Sequence, residues 1–181
     1  MTRFVALLRG VNVGAAKRVP MADLRALLAA LGYTGVQTLL HSGNAVFESS
    51  GRSTTAHSRR IQTALAETLG VAAPVIVKSG KEIAAIEAGN ALLTIVSDPS
   101  RLLVAFTGEA DALQGLAALS ALVRPPERLH LGDHAAYLWC ASGILESKAG
   151  AALLGKLGRT ATTRNWGTVL KIAALLRQNG A

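Results

Sequence analysis

A single cysteine, Cys140, leaves the chain without an intramolecular disulfide and without the second thiol that a thiolate metal site needs. Beside Trp139 it reads as a buried strand residue. The four histidines, His41, His57, His130 and His134, do not fall at metal spacing on any one element, so neither a metal nor another cofactor is expected. Long apolar runs are also missing. No window reaches the roughly 18 uninterrupted apolar residues of a spanning helix, and Phe4 to Leu8 is too short for a signal-peptide core, which predicts a cytoplasmic protein with no membrane partner. Paired carboxylates for acid–base work are absent, because the closest acids, Glu109 and Asp111, sit at what reads as a solvated helix start. Acids stop altogether at Glu146. Beyond it Lys148, Lys156, Arg159, Arg164, Lys171 and Arg177 hold six of the eight net positive charges, an asymmetry that favours an anionic partner or, spaced singly as they are, a solvated basic face.

What is present is a chain that is 50% hydrophobic and 17% charged over 181 residues, enough for a sizeable core in one domain or two small ones. Thr2 to Arg9 reads as a central strand. Pro20 then opens a helix carrying Met21, Leu24, Leu28 and Leu31, stopped by Gly32. Val36 to His41 and Ala45 to Ser49 form a hairpin through Ser42-Gly43-Asn44. A helix with Ile61, Leu65 and Leu69 on one face runs between a Ser/Thr cap region and Gly70; a proline-opened edge strand, Pro74 to Lys78, and a short helix, Lys81 to Ala88, follow. The second half repeats the order: strand Arg101 to Thr107, a weakly patterned helix Ala110 to Leu122 containing Gly115, a hairpin of Glu127 to Leu131 and Ala135 to Cys140 across Gly132-Asp133-His134, a helix Leu145 to Leu157, a strand Arg159 to Thr163 and a helix Trp166 to Arg177. The expected class is α+β: two ferredoxin-like βαββαβ halves, 1–90 and 91–181, each followed by an extra helix, with antiparallel sheets carrying helices on one face.

In that topology the first and second strands run parallel with the third between them, so the loop after the first strand and the first hairpin turn must emerge at the same sheet edge. The two form one candidate ligand-binding site: Arg9, Gly10, Asn12, Gly14, Ser42, Gly43 and Asn44, with Lys17 or Arg18 reaching over it. Glycine lets a backbone approach an anion closely and arginine binds carboxylate or phosphate through two parallel bonds, which suits a phosphate-like ligand. The competing reading is that Gly and Asn supply positive backbone angles in two tight turns while Arg9 pairs with a carboxylate or caps a carbonyl. A third contributor is the run Thr162 to Trp166. Asn165 suits a helix N-cap, Arg164 would meet the positive end of that helix unless an anion, from the protein or a ligand, lies nearby, and Trp166 reads as a core anchor before a stacking platform. His41 beside Ser42 suggests a nucleophile and base, but adjacent strand residues point to opposite faces.

The ordered motifs Leu7-Leu8-Arg9-Gly10-Val11-Asn12-Val13-Gly14, Pro20-Met21, Ser42-Gly43-Asn44, Gly143 to Lys148 and Thr162 to Trp166 resemble, over nearly the whole chain, a widespread family of small bacterial proteins catalogued only as a domain of unknown function. The resemblance implies paired ferredoxin-like halves and brings no activity, substrate or cofactor. This chain departs from the family pattern at Ala15, where a further glycine is usual, at Asn90-Ala91, where Asn-Pro is usual, and at Gly167, where asparagine is usual.

The leading functional expectation is a small anionic ligand, phosphate- or nucleotide-like, with catalysis unassigned. One alternative is a nucleic-acid-binding module, suggested by the topology and the basic tail. It is weakened by an aromatic content of 4% and a third strand with Phe47 alone where an RNA-recognition sheet needs several stacking rings. The other is a structural or oligomerising protein without a ligand.

Overall fold

The computed structural model describes residues 1–178 and contains two four-stranded antiparallel sheets. The first half comprises β1 (Thr2–Leu8), α1 (Met21–Ala30), β2 (Thr34–Leu39), β3 (Asn44–Ser49), α2 (Thr54–Leu69), β4 (Val75–Ser79) and α3 (Gly80–Ala88). The second comprises β5 (Leu102–Thr107), α4 (Ala110–Gly115), β6 (Arg128–Leu131), β7 (Ala136–Trp139), α5 (Lys148–Leu154), β8 (Ala161–Asn165) and α6 (Trp166–Arg177). Strand orders β2-β3-β1-β4 and β6-β7-β5-β8 are the same ferredoxin-like order twice. Compact units divide the chain at Ile83 and Lys171: Met1–Ile83 with the described part of Lys171–Ala181, and Ala84–Leu170. These unit boundaries fall inside α3 and α6, and the end of the last helix counts with the first unit.

The unbroken apolar run of β1 follows from burial of both faces. Phe4, Ala6 and Leu8 meet the core made with Leu24, Leu27 and Leu28 of α1 and Ile61 and Leu65 of α2, while Val5 and Leu7, on the opposite face, are equally closed to solvent. In the second unit Leu103, Ala105, Ala136 and Leu138 pack with Leu113, Leu116 and Leu153, and Leu102, Val104, Phe106 and Tyr137 on the reverse face are buried too. The reverse face is anchored by a polar bond in each unit. The Arg3 guanidinium donates to the Leu176 carbonyl at 3.0 Å, and the Tyr137 hydroxyl to the Ile86 carbonyl at 2.5 Å. Burial, with the Asp133 charge adding to it, pushes the Tyr137 hydroxyl up to about 12, so it stays a donor.

Caps define several element ends as the residue types suggest. Ser53 Oγ accepts from the Ala56 N–H at the start of α2, and Gly70, left-handed at φ 65°, closes it. Pro20 occupies the N-cap of α1 rather than its first turn. Elsewhere the expected bounds shift. Both hairpin loops have four residues, 40–43 and 132–135, instead of three, because pairing stops at Leu39↔Asn44 and Leu131↔Ala136. A bulge between Thr34 and Gln37, at left-handed Gly35, lets β2 start earlier. The single helix expected over 110–122 is α4 followed by a 3₁₀ segment, Leu116–Ala121. Its buried leucines 113, 116 and 119 recur every third residue, the 3₁₀ repeat. The helix expected from Leu145 begins only at Lys148, where Ser147 Oγ accepts from the Gly150 N–H, and ends at Leu154; Leu145 itself is 94% exposed. The strand expected over 159–163 runs instead from Ala161 to Asn165 along β5.

At the β4–α3 junction, Ser79-Gly80-Lys81-Glu82 forms a capping box: the Glu82 carboxylate accepts from the Ser79 N–H at 2.8 Å, and the Glu82 N–H donates to Ser79 Oγ at 3.2 Å. Burial alone would raise the Glu82 pKa, but the Ser79 bonds and the Lys78 ammonium at 3.3 Å outweigh it and hold the group below its usual range. A carboxylate lowered by folding stabilises the protein above its unfolded-state value and loses that effect as pH falls through the folded one. Glu82→Gln should therefore cost about 1 kcal/mol near neutrality, and the gap from wild type in denaturant melts should close on acidification below the ordinary carboxylate range.

Candidate functional site

The exit of β1 is gripped from both sides: the Leu8 N–H donates to the Gly43 carbonyl at 2.9 Å, and the Arg9 N–H to the Pro74 carbonyl at 2.9 Å. Beyond it the chain forms a pinched loop whose closure depends on Asn12. The Asn12 N–H donates to the Lys17 carbonyl at 3.0 Å, its Oδ1 accepts from the Val19 N–H at 2.8 Å, and its Nδ2 donates to the Val19 carbonyl at 2.9 Å. The same Nδ2 reaches the hairpin turn, donating to the His41 carbonyl at 2.6 Å. Val11 and Val19 are buried beneath the loop, while Val13 to Arg18 form its exposed tip.

The turn has its own staple. Buried Asn44 donates from Nδ2 to the Leu39 carbonyl and to Ser42 Oγ, both at 2.9 Å. Gly43, at φ 86°, is required by crowding as well as by conformation: a Cβ there would lie 2.7 Å from Leu8 Cβ and 2.9 Å from Val11 Cγ2. Gly10 and Gly14, at φ 66° and 68°, face open space and are needed only for their backbone angles. The convergence expected from topology is thus a direct hydrogen-bonded junction. The two asparagines shape it from within, and both Nδ2 protons of each are engaged by the protein.

Backbone strain collects here. Among the described residues three non-glycine residues have positive φ, Asn12, Lys17 and Leu40, and all three belong to these two segments. For Leu40, with no local side-chain bond to favour that conformation, the cost is on the order of 1 kcal/mol. Such strain persists where surrounding structure over-determines it, and it clusters at functional sites. Positive φ at residues 10, 12 and 14 is the kind of alternation that builds backbone N–H concavities for anions. Charge agrees with that geometry. Half-buried Arg9 and exposed Lys17 and Arg18 lie in a stretch with no acid before Asp23, and the turn 40–43 contains none. His41 and Ser42 are both exposed and lie in the turn rather than on a strand.

Arg164, Asn165 and Trp166 belong to the second unit. Arg164 is 8% exposed on β8, opposite Val104. Its guanidinium donates to Thr162 Oγ1 at 3.0 Å and to the Thr163 carbonyl at 2.8 Å, and burial pulls its pKa down to about 10. Asn165 Oδ1 caps α6 by accepting from the Thr168 N–H at 2.9 Å, and Trp166 is buried. His57 is likewise structural, buried between the Tyr33 hydroxyl at 2.8 Å and the Gly51 carbonyl at 3.1 Å. Cys140 is buried, and that burial pushes its thiol up. Among the described residues no group of three or more His, Cys, Asp or Glu could hold a metal ion.

A family model described as "Protein of unknown function (DUF1697)" matches residues 1–137, which include both loops of the junction. The chain belongs to this family. The DUF1697 match ends inside β7, so Arg164 to Trp166 lie beyond it. A solved structure, that of the conserved bacterial protein SP0830 from Streptococcus pneumoniae, is similar at 28% identity and a TM-score of 0.81, covering 97% of this chain and 99% of that one. No curated protein matches the chain. No helix among the described residues is long and apolar enough to cross a membrane.

Val13 and Leu40 also belong to these two segments, both exposed. Val13 was readable as an apolar residue set between asparagine and glycine in a polar loop; nothing in the sequence marks a leucine for left-handed backbone. The staple has measurable consequences. Asn12→Ala should cost about 2 kcal/mol and abolish hydrogen-exchange protection of the Val19 amide while leaving Val46 in β3 protected. Gly10→Ala should cost about 1 kcal/mol in thermal or denaturant melts, and Gly43→Ala at least about twice as much, because strain and steric contact add there.

Proposed function

We propose that this DUF1697 protein binds a small anionic ligand, phosphate- or nucleotide-like, in the cytoplasm, at the junction of the 9–18 loop and the 40–43 turn. The observation that carries the reading is the concentration of left-handed backbone at that junction, locked by Asn12 and flanked by Arg9, Lys17 and Arg18 with no acid in either segment. Gly10 and Gly14 leave open space above the backbone, so an anion can approach N–H groups closely there. Arg9 supplies charge-assisted bonds from the end of β1, and Lys17 and Arg18 supply positive charge from the exposed tip.

The nucleic-acid reading has less support, since the aromatic side chains on the sheets, Phe4, Phe47, Phe106, Tyr137 and Trp139, are all buried and give bases no stacking platform. The basic C-terminal stretch is divided as well: Arg164 is inside the protein, and Lys171 and Arg177 lie in a different unit from Lys148, Lys156 and Arg159.

Calorimetric titration with inorganic pyrophosphate tests the proposal. Arg9→Ala should weaken binding by about tenfold or more, and Lys17→Ala/Arg18→Ala should weaken it less and flatten its salt dependence. No binding at low ionic strength, or affinity unchanged in Arg9→Ala, would refute it.

A further inference from the structure

The same junction presents two large apolar side chains to water. Val13, next to Asn12, is 74% exposed, and Leu40, next to His41, is 46% exposed. The bond from Asn12 Nδ2 to the His41 carbonyl joins the residues next to these two in sequence, so each loop of the junction contributes one exposed apolar side chain. Val13 stands in the cationic tip between Gly10 and Lys17. Leu40 is held there in a left-handed conformation that glycine or asparagine would adopt at lower cost. Open space over Gly10 and Gly14 leaves room for an occupant beside them.

We infer that the ligand is a phosphate ester with an apolar or flat organic body, whose anion lies on the 9–18 loop and whose body packs on Val13 and Leu40. This deepens the anion-binding proposal and rests on it. The physical reason is the pairing of needs in two hydrogen-bonded loops: strained backbone and cations suit the phosphate, and exposed aliphatic groups gain from being covered by the part of the ligand that an inorganic ion lacks. Val13 and Leu40 then act as specificity-determining residues, separating esters from free inorganic anions of the same charge type.

Inorganic pyrophosphate, ADP and geranyl diphosphate all present a diphosphate but differ in the attached body, so titrating the full chain with each tests the assignment. At least one ester should bind about tenfold or more tightly than pyrophosphate, and whichever gains more identifies the body as nucleoside or hydrocarbon. Val13→Ser/Leu40→Asn should erase that preference, weakening the favoured ester about tenfold while leaving pyrophosphate within about twofold. Both substitutions are at exposed positions and asparagine tolerates left-handed backbone; a second variant, Val13→Ser alone, should give part of the loss and guards against a misfolded double variant. If pyrophosphate binds as tightly as both esters, or the variants weaken all three alike, the apolar-body assignment is overturned while the anion site stands. If none of the three binds, both fall.

Discussion

The carboxamide of Asn12 is the constraint on which the candidate site depends. Its Oδ1 and Nδ2 close the 12–19 loop onto Val19, and Nδ2 crosses to the His41 carbonyl in the neighbouring turn. A loop of that length without such a staple would sample many conformations, and its glycines would make it looser still. Fixed this way, it holds Lys17 and Asn12 itself in left-handed conformations and keeps an exposed tip over a buried floor of Val11 and Val19. The neighbouring turn is locked by Asn44 and by the close fit of Gly43 against Leu8 and Val11. Rigidity at a polar, strained, cationic surface is what binding a small anion requires, since ordering costs are met in folding rather than on association.

The architecture explains why the candidate site falls to this edge. The central strands are apolar over Phe4 to Leu8 and Leu102 to Phe106 because these residues are buried on both faces, which removes the open central-strand surface that ferredoxin-like modules use to stack bases. Strand ends and loops remain. In the first unit the end of β1 and the turn into β3 carry arginine, glycine and asparagine; in the second unit the equivalent hairpin loop, 132–135, is closed by a Gly132 N–H bond to the Ala135 carbonyl at 2.9 Å. The duplicated fold has thus kept four-residue hairpins in both halves, while positive-φ backbone with adjacent cations is concentrated in the first.

Much of this was legible in the sequence. Alternation of helix-spaced leucines with short apolar runs, punctuated by Gly32, Gly70 and Pro74, is enough to order the strands, and strand order places the Arg9 loop beside Ser42-Gly43-Asn44 without any structure. Local chemistry near weak patterns was less readable. Leucines at every third position in 113–119 fit an irregular α-helix as well as the 3₁₀ segment they form, and apolar Leu145 looks like a helical core position although it lies outside α5. Arg164 was read by its place before a helix, but in a strand the side chain's course depends on which face it occupies, and here it runs back to Thr162 and Thr163. Asn12 and Asn44 show a related limit. An amide in a loop is as able to bind the loop's own carbonyls as a ligand, and only the closed geometry shows that its protons are engaged.

The central claim is that the junction of the 9–18 loop with the 40–43 turn is a preformed anion site. Backbone amide chemical shifts, followed by ¹⁵N-resolved NMR during a pyrophosphate titration of the full chain, test it most directly. Saturable shifts should be confined to amides of residues 10–18 and 40–43, with the Val19 amide, already bonded to Asn12, moving little. Shifts centred on Lys148, Lys156 and Arg159, or no shift at any amide of the two segments, would contradict it.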